Sequence, residues 1–242
     1  TIVLATKFGM KMDDAGAKSG ASRAYIMQAA EDSLRRLKTD WIDLYQLHTP
    51  DAATPMEETL SALDDLVRQG KVRFIGCSNL PAPDLVRARE ISQAQSLAPF
   101  VTAQDEYSLL VRKVEAELVP ALQELNMSLL PYFPLASGLL TGKYGKDGAV
   151  PAGTRFSVMQ RLADRYLTAR NREIVRALDQ FCAARDRTML ELAFSWLASR
   201  PTVGSVIAGA TKPEQVEQNV KAAGWKLSDA ELAEIDRITR PD

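Results

Sequence analysis

His48 is the only histidine among the 242 residues, and it closes the run Trp41-Ile42-Asp43-Leu44-Tyr45-Gln46-Leu47-His48. An imidazole titrates nearest to neutral, which makes it a natural donor or orienter of protons. A second apolar run, Ile2-Val3-Leu4-Ala5-Thr6, ends in the same manner in Lys7. A lysine there can lower the pKa of a neighbouring acid, bind an anion or form a Schiff base. Taken singly, each has an ordinary explanation: a capped structural histidine, and a solvated lysine that starts a loop. The matching placement, one ionisable residue at the carboxyl end of each of two strands, points to an α/β enzyme with its chemistry on that rim.

Other polar groups fall at equivalent places. Gly76-Cys77-Ser78-Asn79 ends a third strand-like run, and Ser78 and Asn79 could either cap the next helix or hydrogen-bond the amide of a ligand. Gln104 carries both a donor and an acceptor. Tyr132 offers a flat face for a heteroaromatic ring, although a tyrosine on a strand more often simply packs. Gly209-Ala210-Thr211-Lys212-Pro213-Glu214-Gln215 opens a helix, whose free N–H groups and positive dipole end favour phosphate. A capping box accounts for Thr211 and Glu214, but Lys212 adds the cation that a phosphate needs.

The positioning elements are short apolar runs alternating with amphipathic stretches. Six strands are expected: Ile2–Thr6, Ile42–Leu47, Val72–Cys77, Val101–Gln104, Ser128–Phe133 and Val203–Ala208. Continuous apolar runs of this kind suit a parallel sheet buried on both faces, linked by right-handed crossovers. Ser22 is expected to cap a helix whose apolar side holds Ile26, Ala30, Leu34 and Leu37. Thr54-Pro55-Met56-Glu57 reads as a capping box with Pro at the first helical position, and Gly70 as the stop. Ser228-Asp229-Ala230-Glu231 repeats the box. Leu135–Arg170 is rich in glycine, holds no convincing strand, and reads as a long excursion from the rim. Two helical runs follow, near Arg172–Ala184 and Met189–Ser199.

Bulk properties narrow the function. The net charge of −1, with both signs mixed along the chain, invites neither nucleic acid nor an anionic membrane. No apolar run approaches a membrane span, and no signal peptide is expected before the first strand. The two cysteines, Cys77 and Cys182, have no metal-ligand or disulfide spacing and fit a reducing cytoplasm. One α/β barrel commonly takes this length, so residues 1–242 are read as a single domain.

Together the motifs resemble the aldo-keto reductase family. The matching segments run nearly end to end: Val3-Leu4-Ala5-Thr6-Lys7-Phe8-Gly9, Ile42–His48, Gly70-Lys71-Val72-Arg73, Gly76–Asn79, Gln104–Ser108, Tyr132–Tyr144 and Gly209–Asn219. The resemblance implies a (β/α)8 TIM barrel, of which about six β/α units are visible, binding NADPH along its carboxyl rim without a Rossmann fingerprint. It makes Lys7 and His48 catalytic. Ser78, Asn79 and Gln104 would hold the nicotinamide carboxamide, and Tyr132 would stack on its ring. Phe133, Leu135, Ser137, Gly138 and Leu139 would line the pyrophosphate, and Lys143 and Arg155 would reach cofactor phosphates. Gly209, Thr211, Lys212, Gln215 and Asn219 would surround the adenosine end, with Thr211 and Lys212 on the 2′-phosphate.

The family's catalytic aspartate and tyrosine belong to a segment before Val3, so the chain is expected to be an N-terminally incomplete reductase. Six strands where such a barrel has eight agree with that expectation. The implied reaction is reduction of an aldehyde or ketone by NADPH in the cytoplasm, with a small-molecule carbonyl partner and oligomeric state open. Two alternatives stand beside it. One is a Schiff-base aldolase barrel using Lys7. The other is a non-catalytic NADPH-binding regulatory subunit, similar to channel-associated members of the family, which lack the histidine.

Overall fold

A computed structural model describes residues 2–16, 18–144, 150 and 152–240. The strands are β1 (Ala5–Phe8), β2 (Ile42–Leu47), β3 (Val72–Ser78), β4 (Phe100–Gln104) and β5 (Ser128–Leu129). Helices α1 (Arg23–Leu37), α2 (Met56–Arg68), α3 (Ala82–Gln95) and α4 (Leu118–Glu124) alternate with them. Six more follow: α5 (Arg155–Val158), α6 (Gln160–Tyr166), α7 (Ala169–Ala183), α8 (Met189–Ala198), α9 (Pro213–Ala222) and α10 (Asp229–Thr239). The chain falls into two compact units, Thr1–Asp105 with Ala116–Leu129, and Glu106–Glu115 with Leu130–Asp242.

The first unit is a parallel sheet in the order β1-β2-β3-β4-β5. Side chains alternate across a strand, so the register sorts them by face. Phe8, Tyr45, Leu47, Ile75, Cys77, Ala103 and Leu129 are all buried on one side. Helix α1 packs on β1, α2 on β3 and α4 on β5. Their apolar stripes include Ile26, Ala30 and Leu34 on α1 and Leu60, Leu63 and Leu66 on α2. Leu37 departs from the expected stripe and is exposed. Both cysteines are free and buried, and burial raises both thiol pKa values, which keeps them unreactive.

Several strand limits differ from the sequence expectation. β1 begins at Ala5, three residues later than Ile2; just before it, the Leu4 N–H donates to the Asp43 carboxylate (2.9 Å) rather than to a backbone carbonyl of β2. Ile2 and Val3 are exposed, and Lys7 therefore stands inside the strand rather than after it. The expected run Ser128–Phe133 keeps only two strand residues. Pro131 and Pro134 have no N–H to donate, and Phe133 takes a left-handed φ of 53°. Val203–Ala208 is not a strand: its recorded backbone bond to this neighbour runs from the Ile207 N–H to the Pro131 carbonyl (2.9 Å), and Pro131 has no N–H for a reciprocal bond.

Helix starts were partly legible. Ser22 and Ser228 cap as expected, Ser228 with the full box to Glu231. Gly70 ends α2 with a φ of +72°. At Thr54 the expected box does not form, because Pro55 is itself the cap and the Thr54 hydroxyl donates to Asp51 (2.8 Å). At Thr211 the helix starts one residue later, with Lys212 as cap and no side-chain cap bond.

In the second unit α7 packs on α10 and α8 on α9, around a core that includes Trp196, Leu178, Leu192 and Ile235. The buried Arg112 guanidinium binds Glu115 (2.8 Å), Asp236 (2.8 Å) and the Thr239 hydroxyl (2.6 Å), tying α10 to the segment after β4. Leu135–Arg170 is not a plain loop: a 3-10 turn at Ala136–Thr141, α5 and α6 occupy it. Gly145, Gly148 and Pro151, counted in its glycine-rich composition, lie outside the described residues. Among the described residues no helix is long and apolar enough to cross a membrane.

Candidate active site

The sheet face opposite the buried apolar one is polar in its upper half. Register places Lys7 beside Gln46, Gln46 beside Gly76 and Gly76 beside Thr102, a row crossing four strands. Ser78 and Gln104 pair with each other two residues further toward the carboxyl ends. His48 follows directly after β2, where its N–H donates to the Phe8 carbonyl (2.9 Å). A row of lysine, glutamine and threonine on a sheet face is costly as packing and reads as a binding surface.

Lys7 and His48 are both half-buried. Burial lowers the pKa of each, and the Lys7 ammonium lowers that of His48 further. His48 thus feels the Lys7 charge and is biased to the neutral imidazole, which can donate from one nitrogen and accept at the other.

The remaining polar groups brace one another. The Gln46 amide donates to Gln104 Oε1 (3.1 Å), and both residues are buried. Ser78 Oγ donates to the Gln104 carbonyl (2.7 Å), so the serine hydrogen is committed to backbone. Asn79, in the left-handed region at φ 58°, donates its amide to Ser78 Oγ (3.0 Å) and to the His48 carbonyl (3.1 Å). Gln46 Oε1 and Thr102 Oγ1 are buried with no hydrogen-bond partner among the described residues. Gln46 was not singled out from sequence. Its signal was the period of two that puts it on the same strand face as His48.

The second unit carries its own cluster, the turn from Tyr132 to Lys143. Phe133, Ala136, Ser137 and Gly138 all have positive φ (53°, 46°, 57° and 103°). Successive residues of this kind turn backbone N–H groups toward a common concavity, which suits an anion. The φ of +103° favours glycine at position 138, where a Cβ would also stand 3.0 Å from Lys143 Nζ, the movable end of a flexible side chain. That same proximity brings an ammonium to the turn, and Ser137 Oγ is buried without a partner among the described residues. Leu139 is buried and can offer the concavity only its backbone, whereas Leu135 is half-buried. Tyr132 is half-buried with its ring edge-on to Phe133 (5.3 Å, 77°).

Arg155 is the exposed first residue of α5. Gly209, Thr211, Lys212 and Gln215 are exposed around the start of α9, and Asn219 is half-buried on that helix. Thr211 donates its N–H (2.7 Å) and hydroxyl (3.2 Å) to Gln215 Oε1. An open depression of about 600 Å³ is lined by Ala210, Thr211, Lys212, Pro213, Val216 and Glu217. Glu217 sets a carboxylate beside the Lys212 cation there.

The Aldo/keto reductase family profile matches residues 1–240, and the chain belongs to that family, whose fold is the TIM barrel. Among its relatives, the "Probable voltage-gated potassium channel subunit beta" of Oryza sativa subsp. japonica is 37% identical over 206 residues, 84% of this chain and 62% of the relative. The "L-glyceraldehyde 3-phosphate reductase" of Escherichia coli (strain K12) is 34% identical over 242 residues, 98% of this chain and 69% of the relative. The "Aldo-keto reductase YhdN" of Bacillus subtilis (strain 168) is 32% identical over 242 residues, covering 98% and 70%. The chain therefore spans between 62% and 70% of these relatives.

Proposed function

We propose that this protein is an oxidoreductase that reduces an aldehyde or ketone to an alcohol, with NADPH as hydride source. The observation that carries it is the placement of Lys7 and His48 on the adjacent strands β1 and β2, Lys7 in register with Gln46 and the His48 N–H bonded to the Phe8 carbonyl (2.9 Å). Bound NADPH would supply the hydride. His48, held neutral, orients the carbonyl oxygen by a hydrogen bond. Lys7 keeps positive charge where negative charge builds on that oxygen, and lowers the pKa of the proton-donating tyrosine that the family places before Val3.

Each unit carries groups suited to one part of the cofactor. In the first, Ser78, Asn79 and Gln104, held in place by their own hydrogen bonds, would take the carboxamide. In the second, the Tyr132 face suits a nicotinamide, and Phe133, Leu135, Ser137, Gly138 and Leu139 frame a pyrophosphate with Lys143 as its cation. Arg155 serves a further phosphate contact. Gly209, Thr211, Lys212, Gln215 and Asn219 serve the adenosine end, where Lys212 favours a 2′-phosphate and Glu217 opposes it. The partner is a small carbonyl compound, and the free, buried cysteines support a cytoplasmic setting.

The test is turnover. The full-length protein should oxidise NADPH in the presence of a panel of aldehydes and ketones, and Lys7→Met should abolish turnover while sparing NADPH binding. Unchanged turnover in that variant sinks the assignment. The likeness to a protein named as a channel subunit supports a second reading, a cofactor-binding regulatory subunit. Tight NADPH binding with no turnover of any carbonyl would favour it. Borohydride trapping of a carbonyl on Lys7 would instead favour an aldolase.

A further inference from the structure

Glu106, which the site does not use, is only 4% exposed, yet it is a carboxylate. Burying such a charge is expensive unless both oxygens are engaged. Here Oε2 receives Arg165 and Oε1 receives the Tyr166 hydroxyl, neighbouring residues at the end of α6. Consecutive side chains on a helix point about 100° apart. Gripping both therefore fixes the rotation of α6 about its axis as well as its position. The backbone of Glu106 is bridged to Tyr132, so the same residue joins α6 to the start of the anion-binding turn.

From Tyr166 a ladder of buried rings leads back to that turn. Tyr166 packs on Phe156 (6.2 Å between centroids) and Phe156 on Tyr144 (5.0 Å). Lys143 Nζ lies 5.3 Å from the Tyr144 ring centre, and the Tyr144 hydroxyl lies 3.7 Å from where a Gly138 Cβ would stand. Between Tyr144 and Thr154 the described residues form no helix or strand. Ring contacts relate the turn to α6. Close-packed interiors transmit displacement, so a shift of Tyr166 is felt at Tyr144.

We propose that Glu106 is a positioning residue for the phosphate cradle at Ser137–Gly138, setting the Lys143 ammonium through the ladder Tyr166, Phe156 and Tyr144. The proposal rests on the reading of that turn as a phosphate cradle. It predicts that Glu106, whose carboxylate is held by Arg165 and Tyr166, and Lys143 act through one another.

A double-mutant cycle on the full-length protein, read by fluorescence titration with NADPH, tests it. Glu106→Gln keeps an acceptor for Tyr166 and removes the charge that Arg165 needs. Lys143→Met and Glu106→Gln should each raise the NADPH Kd about tenfold, and the double variant should be no weaker than Lys143→Met alone. Losses that multiply, or a Glu106→Gln variant that binds as the wild type does, overturn the proposal. Should Glu106→Gln fail to fold, the same cycle with Tyr166→Phe decides the matter. Wild-type protein that binds no NADPH would remove the cradle reading itself, a failure distinct from an unresponsive Glu106.

Discussion

Gln46 on β2 reaches Gln104 at the end of β4 by a 3.1 Å hydrogen bond that passes across the intervening strand β3. The Gln46 side chain has a clear path because its register partner on β3 is Gly76, which presents no side chain; Gln104 pairs with Ser78, two residues further on. A Cβ at Gly76 would lie 3.3 Å from Gln46 Cγ and would collide with Thr102 Oγ1. Gly76→Ala should therefore cost about 1–3 kcal/mol through overpacking. The shift in denaturant midpoint measures it. Adding Thr102→Ala, which removes the nearest obstacle, should restore part of the loss, and no recovery would contradict this packing account.

Replacing Gln46 by Leu leaves Gln104 Oε1 buried without the amide it accepts from. Such an orphaned acceptor costs about 1–3 kcal/mol. If this face also receives a carboxamide, the Gln46→Leu protein should bind NADPH more weakly as well as unfold earlier. Loss of stability with unchanged affinity would confine Gln46 to a structural role.

The lone histidine makes the charge coupling at the rim directly visible. Proton NMR of the one imidazole should show His48 titrating below its ordinary value of 6.5, and Lys7→Met should raise that midpoint by removing the ammonium. The sign for stability follows: the folded state binds a proton on His48 less readily than the unfolded chain. His48 thus withdraws stability as pH falls below 6.5, with the loss complete once pH is under the lowered folded value. His48→Gln should flatten that part of the stability curve.

Arg112 provides a test remote from the rim. Its guanidinium is 4% exposed and faces two carboxylates, of Glu115 and Asp236, which are themselves partly solvated. Arg112→Met should cost about 2–3 kcal/mol, toward the low end for a broken buried pair. Limited proteolysis should then open the chain at α10 first. Cleavage unchanged from wild type would show that Arg112 does not hold that helix.

The motifs legible in the sequence were those with local causes. Strand β2, the caps at Ser22 and Ser228, and the stop at Gly70 follow from side-chain chemistry within a few residues. That Lys7 and His48 belong to strands β1 and β2 was legible too, although Lys7 lies inside its strand and the adjacency of the two strands came from the fold. Leu135–Arg170 was read as a loop since its helices are short and are organised by Glu106 and by rings far apart in sequence. Val203–Ala208 looked like a strand by composition, and a partner without an N–H decided otherwise.

The sequence by itself determined the chemical inventory of the rim and the family to which the chain belongs, because both reside in residue type, order and spacing. Tertiary structure alone decided that Gln46 joins Gln104 over Gly76, and that Glu106 is buried between Arg165 and Tyr166. Register between strands and the desolvation of a charge depend on neighbours many tens of residues away, and no local pattern encodes them.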